Sequence, residues 1–399
     1  MVTKNIEDLK ILYVAPRYHT NQVPIMRGWS ERKCRVMFMA EFEGVSEIHD
    51  YVEFMCMKPN WLSKIFFNYI DKKSTPSQAE GKKIKLFIPA FFDTLNNIKK
   101  FGPDLVIVRE RYLTNFIIYI ICKLLKINKS ILYVQQPIYK VSESTNPIKE
   151  FLKKKMFPEV VFSPVYYIGN RNKKLEKSNI RFIPLVGEKQ NINTEKSKKY
   201  FVNNTIHFLD IGKYREYKNH FFLIDVFHRL MNKIEGIDFK LTIIGQLSNS
   251  DEKEYYNRLN AYIEEKGLQN IIQTRENIPF REMERLYEQQ DVLILPSTYE
   301  SAGMVILEAM QKGLCVVASI YCGVASYLEK YQCGYTFDIQ ETTELENILM
   351  NLINNRELIC QVGNKGIEVI QTELSFETYL QELNKLTEEE FDFSIIGNR

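Results

Sequence analysis

Two glutamates, Glu300 and Glu308, stand with seven residues between them at the start of a helical stretch, just after an apolar run at residues 292–295. A helix start offers unpaired amides and the positive end of a dipole, so Ala302, Gly303 and Met304 can present backbone N–H groups to a phosphate. Gly303 lets the chain approach a ligand without a Cβ in the way. Glu308, about a turn and a half into the helix, can bridge a vicinal diol such as a ribose, while Glu300 lies nearer any group carried on a distal phosphate. The bland alternative, two acids that merely complement a helix dipole, does not account for what lies upstream.

Upstream is a second cluster, residues 210–219, at the end of another apolar run. Gly212 opens it, and Arg215 and Lys218, three apart, can both aim at one diphosphate as a guanidinium fork and a point charge. In a reaction whose leaving group is a phosphate, such cations stabilise the charge that develops in the transition state.

These segments need a scaffold, and the hydrophobic pattern supplies it. Apolar runs of four or five residues alternate with longer amphipathic stretches: strands are expected at residues 12–15, 35–42, 84–88, 105–108, 130–134, 165–168 and 181–184. After a lysine-rich stretch at 187–199 the alternation restarts, with strands at 207–211, 240–244, 271–273, 292–295 and 315–318. Short apolar strands separated by helices argue for parallel sheets covered on both faces, hence an α/β chain of two doubly wound units. The first is expected over residues 1–195 and the second over 203–374, with a last helix at 375–392 crossing back onto the first. Ligands of such sheets bind at the carboxyl ends of the strands, which for two facing units means the cleft between them.

The chain has 399 residues and a net charge of +3, but the charge is split. Residues 1–200 carry 35 basic and 19 acidic side chains, and residues 201–399 carry 18 and 31. The basic half suits an anionic surface. Residues 58–73 interleave aromatics with lysines, as an interfacial helix does, and Lys153–Lys155 and residues 171–177 add basic charge. No nucleic-acid-binding module accompanies that charge, so no nucleic acid is expected. Seven cysteines without a CxxC pair read as reduced, buried thiols. No signal-peptide layout opens the chain, and the longest apolar stretch, at 112–122, falls short of the ~20 residues a membrane span needs. The expected location is cytoplasmic, with a peripheral position at the inner face of a membrane. P-loop, zinc-protease, serine-hydrolase and EF-hand motifs are missing, and the five histidines form no spaced metal set.

Taken together, the Glu300–Glu308 spacing, the residues 212–219 and the segment from Asn277 to Asp291 leading into Leu295-Pro296-Ser297 resemble the retaining glycosyltransferases of family 4, which have the GT-B fold of two Rossmann-like domains. The likeness covers about residues 205–340. It implies that Glu308 binds the ribose of a nucleotide sugar and that Glu300 contacts the sugar near its anomeric centre. Arg215 and Lys218 would hold the diphosphate, helped by Gly212 and the amides of Ser301, Ala302, Gly303 and Met304. The backbone at Ile278, Pro279 and Phe280 would read the base. It further implies a UDP- or GDP-sugar donor, a glycan or lipid-linked acceptor in cell-surface polysaccharide synthesis, no cofactor and no metal; the sequence has no Asp-x-Asp motif. A sugar-nucleotide epimerase of the same architecture and a non-catalytic nucleotide-sugar-binding partner protein are the rival readings. The first unit departs from the family pattern. Its first loop, residues 16–24, lacks glycine and offers His19, Thr20, Asn21 and Gln22 as contacts to acceptor or donor, and Arg109-Glu110-Arg111 stands where relatives often carry a histidine.

Overall fold

The computed structural model describes residues 2–43, 49–73, 82–110, 112–137, 160–169, 180–188, 200–234, 236 and 238–396. Lys153–Lys155, residues 171–177 and Arg111 lie outside the described residues, as do the side chains of Thr20 and Phe280. The chain divides into two units: Met1–Pro164 with Leu175–Val186 and Phe376–Arg399, and Val165–Lys174 with Gly187–Ser375.

The first unit runs β1 (Val2–Thr3), β2 (Lys10–Ala15), α1 (Val23–Glu31), β3 (Arg35–Ala40), β4 (Glu53–Cys56), α2 (Trp61–Lys73), α3 (Phe91–Phe101), β5 (Leu105–Arg109), α4 (Tyr112–Leu124), β6 (Ser130–Tyr133), β7 (Val161–Ser163) and β8 (Ile180–Phe182). Seven strands pair in parallel in the order β4-β3-β2-β5-β6-β7-β8. Both faces of β2 are buried. Ile11, Tyr13 and Ala15 enter one core and Leu12 and Val14 the other, which is why the strand reads as a continuous apolar run.

The second unit contains β9 (Ile206–Lys213), α5 (His220–Met231), β10 (Phe239–Gln246), α6 (Ser250–Glu265), β11 (Ile272–Glu276), α7 (Phe280–Glu288), β12 (Val292–Leu295), α8 (Val305–Gln311), β13 (Cys315–Ser319), α9 (Ala325–Lys330), β14 (Tyr335–Phe337), α10 (Glu344–Asn354) and α11 (Arg356–Gln371). Its six parallel strands lie in the order β11-β10-β9-β12-β13-β14. Counted from the first strand of the unit this is 3-2-1-4-5-6, the doubly wound order, and the order reverses between β9 and β12.

The chain ends on α12 (Phe376–Phe391) and β15 (Phe393–Ser394), both part of the first unit, where β15 pairs with β1. The helix is seated by close contact. A Cβ at Gly28 of α1 would come within 2.1 Å of the Phe376 ring, Trp29 meets that ring edge-on at 5.1 Å, and Arg32 pairs with Glu377 at 2.8 Å. Beneath them the Trp29 indole donates to the Tyr13 hydroxyl, which lies 3.0 Å from the Tyr379 hydroxyl.

Two expected strands are not strands. Residues 82–85 form a helical turn, residues 87–88 are irregular, and an isolated bridge joins Pro59 and Pro89; of residues 84–88 only Phe87 is buried, and β4 already occupies that edge of the sheet. Residues 165–168 are irregular. Val165, Tyr167 and Ile168 are apolar because they are buried, and a four-residue apolar run reports burial without specifying a strand. The strand in this region lies earlier, at β7.

Candidate active site

The doubly wound order puts the ends of β9 and β12 side by side, and each strand delivers one half of a charged pair. After β9 the chain makes a tight turn at Glu216–Lys218, and Asn219, with φ 60°, redirects it into α5. Lys218 folds back across the strand end: a Cβ at position 212 would sit 2.6 Å from Lys218 Cε and 2.8 Å from its Nζ, so only glycine leaves room. The Lys218 ammonium donates to Glu300 Oε1, on the loop after β12, and the Ser297 hydroxyl donates to the same oxygen at 3.3 Å.

That loop is held at several points. The Glu300 amide donates to the Tyr321 carbonyl at 3.0 Å, Gly323 donates to the Glu300 carbonyl at 3.0 Å, and Val324 donates to the Ala302 carbonyl at 2.8 Å. Thr298 donates its amide to the Tyr217 carbonyl at 2.7 Å, tying the loop to the Lys218 turn. Ser301 is exposed, Ala302 is buried, and Gly303 has φ 79°, beyond which Met304 leads into α8.

Lys218 is 7% exposed. Burial alone would lower its pKa, but the charge and hydrogen bond of Glu300, with Asp210 behind, raise it above the usual value. Glu308 has one side open to solvent and receives a hydrogen bond from the Tyr287 hydroxyl at 2.7 Å. Desolvation by the protein around its remaining sides raises the carboxyl, with Glu188 adding to the shift and Tyr287 opposing it. Ile278 and Pro279 link β11 to α7, at the same carboxyl edge of the sheet.

Arg215 is placed differently from Lys218. Its guanidinium donates to Glu252 Oε1 at 2.7 Å, near the start of α6, where Asn249 caps the helix through the Glu252 amide. Burial pushes the Glu252 carboxyl up, but the Ser248 amide and Arg215 outweigh it and hold it below the usual value.

Sequence reasoning gave no role to Asp210 and His220, which are fully buried behind the pair, nor to Ser297 and Tyr287. A lone aspartate inside an apolar strand and a histidine opening a helix carry no spacing signal. In the first unit, Gln22 accepts from the His19 amide at 3.1 Å and so closes its own turn, while Asn21 and Gln22 are buried and line a small, mostly apolar cavity with Tyr13, Ile25, Tyr133 and Tyr379. Arg109 donates to Gln135, and Gln136 donates to Glu110.

The match to known proteins falls on the unit that holds this pair: residues 191–369 fit the family described as glycosyl transferases group 1. This segment is a group 1 glycosyltransferase domain. The chain is 26% identical over 152 residues to a D-inositol 3-phosphate glycosyltransferase of Paenarthrobacter aurescens, covering 38% of this chain and 36% of that one. It therefore spans well under half the length of this relative. Among solved structures, a glycosyltransferase of Rickettsia africae aligns with a TM-score of 0.68 at 15% identity over 96% of this chain and 98% of that one. HepE of Anabaena, in complex with UDP and glucose, aligns at 0.65 with 16% identity over 96% and 100%. These likenesses extend the fold beyond the group 1 domain: the chain has the α/β, GT-B architecture.

Proposed function

We propose that the chain is a retaining glycosyltransferase that moves a sugar from a nucleotide-sugar donor to a hydroxyl of a glycan or lipid-linked acceptor. The observation that carries this reading is the pair of buried Lys218 and half-buried Glu300 at the point where the strand order reverses, inside the group 1 match. There, Lys218 holds the donor diphosphate and Glu300 faces the sugar near its anomeric carbon. Glu308 takes the ribose hydroxyls, the backbone at Ile278, Pro279 and Phe280 meets the base, and Gly212 and the amides of Ser301–Met304 line the phosphates. Arg215 joins Lys218 once the donor draws it from Glu252. No metal or cofactor is part of the proposal.

The reaction is a front-face displacement. The bond from the anomeric carbon to the diphosphate oxygen breaks, its electron pair leaving with the diphosphate beside Lys218. The acceptor oxygen bonds to the carbon from the same side, and its proton passes to the departing diphosphate. HepE binds UDP and glucose; for this chain a UDP- or GDP-sugar is the proposed donor, serving cell-surface polysaccharide synthesis in the cytoplasm. Screening common sugar donors for nucleotide release with a glycan acceptor tests the reading. Release of a nucleotide with formation of a new glycoside supports it, whereas conversion of the donor into an isomer marks an epimerase, and binding without turnover marks a silent relative.

A peripheral position at an anionic membrane is part of the same proposal. Helix α2 exposes Trp61 (72%), Ile65, Phe66 and Tyr69, with Lys64, Lys72 and Lys73 also exposed. Among the described residues no helix is long and apolar enough to cross a membrane. Flotation with anionic vesicles that weakens at high salt supports this placement, and indifference to lipid charge removes it.

A further inference from the structure

Behind the Lys218–Glu300 pair lies a buried polar cluster that holding a diphosphate does not by itself require. Asp210, within β9, is fully enclosed, and no described side chain hydrogen-bonds to either of its carboxylate oxygens. His220, the first residue of α5, is equally enclosed and brings Nε2 to 3.4 Å from Asp210 Oδ2. Its Nδ1 lies 3.0 Å from the hydroxyl of Tyr255 on α6.

A carboxylate sealed from water needs a compensating charge or a proton. Of the titratable groups facing Asp210, Glu300 opposes its negative charge, and Tyr214, Tyr255 and the Cys322 thiol are uncharged at neutral pH. His220 is held neutral: burial and the nearby ammonium of Lys218 depress it to about 3. Among the described residues, Lys218 is thus the one cation facing the two carboxylates, Asp210 and Glu300. With Asp210 ionised, the cluster carries an excess negative charge, which only Lys218 makes tolerable.

We propose that Asp210 is a positioning residue for the donor: its buried charge holds the Lys218 ammonium at the strand ends while the site is empty, and a nucleoside diphosphate that takes over Lys218 drives one proton from solvent onto the Asp210 carboxyl. This rests on the reading that the donor diphosphate binds at Lys218. Burial sets Asp210 where such an exchange occurs near neutrality, raising it to about 7 against the opposing pull of Lys218. An arriving diphosphate adds negative charge and raises it further. Binding that takes up a proton weakens as pH climbs above that value.

The test is calorimetric titration of the full chain with UDP, GDP and ADP at pH 8, in two buffers of different ionisation enthalpy. There the free nucleotides are fully ionised. The wild-type chain is expected to take up about half a proton or more per nucleotide bound, and Asp210→Asn to bind with none. Should the variant fail to fold, the wild-type dissociation constant between pH 7.5 and 9 decides: an increase of about tenfold is expected. A flat profile, a wild-type chain that takes up no proton, or uptake that persists in Asp210→Asn overturns the role of Asp210. A chain that binds none of the three nucleotides overturns the donor-site reading itself, and Asp210's role with it.

Discussion

The Lys218 side chain lies across Gly212, so closely that a Cβ there would come within 2.6 Å of Lys218 Cε. The glycine is what lets the ammonium reach Glu300. Gly212→Ala is therefore expected to push Lys218 out of place. Nucleotide affinity should fall about tenfold or more while the fold persists, because the clash is with the end of a flexible side chain. Titration calorimetry and circular dichroism read the two effects; unchanged affinity would mean that Lys218 does not need this path.

Arg215 spends its guanidinium on Glu252, a carboxylate held below its usual pKa. A depressed carboxylate contributes stability above its unfolded pKa and loses it as pH falls through the folded value. Arg215→Ala should accordingly lower the melting temperature at pH 7, and the gap to wild type should close as pH falls below the usual glutamate value and through the lowered one of Glu252. Where the donor recruits Arg215, the same variant also raises the barrier by about 2–4 kcal/mol. Thermal melts across pH and steady-state kinetics separate the two, and a gap independent of pH contradicts the ion-pair account.

Glu308 must be ionised to bridge a ribose, and the Tyr287 hydroxyl favours that form against desolvation. Glu308→Gln should weaken donor binding wherever the wild-type carboxyl is ionised, the deficit shrinking as that carboxyl protonates. Tyr287→Phe should weaken it chiefly at low pH, since the carboxyl then protonates at a higher pH than in wild type. Identical acid limbs in the wild type and Tyr287→Phe would separate Tyr287 from donor binding.

In the first unit, a Cβ added at Gly28 would come within 2.1 Å of the Phe376 ring, so no methyl group fits there without a shift. Gly28→Ala gains helix propensity of about 1 kcal/mol yet overpacks this contact at a cost of about 1–3 kcal/mol. A net loss of stability, partly recovered in Gly28→Ala/Phe376→Leu, is expected in chemical denaturation; a stabilised single variant would show that α12 yields freely.

Much of the scaffold was legible because parallel strands buried on both faces spell themselves as short apolar runs, as at β2, β9 and β12. The half-exposed edge strand β4 lacked that signature, and the buried irregular stretch at 165–168 imitated it. Within the site, Lys218, Glu300 and Gly212 stood out through spacing and resemblance. Arg215 stood out with them, but its contact with Glu252 did not, since Glu252 lies 37 residues away and meets it only once α6 packs beside α5. Asp210 and His220 were silent for a similar reason: their meaning comes from enclosure beside Lys218, which no local pattern encodes.

The most direct measurement compares nucleoside diphosphate binding by the wild-type chain and Lys218→Ala, using UDP, GDP and ADP. The account predicts uptake of at least one of them by wild type and a loss of about tenfold or more in the variant. Equal affinity in the two proteins, or no uptake by either, would contradict it.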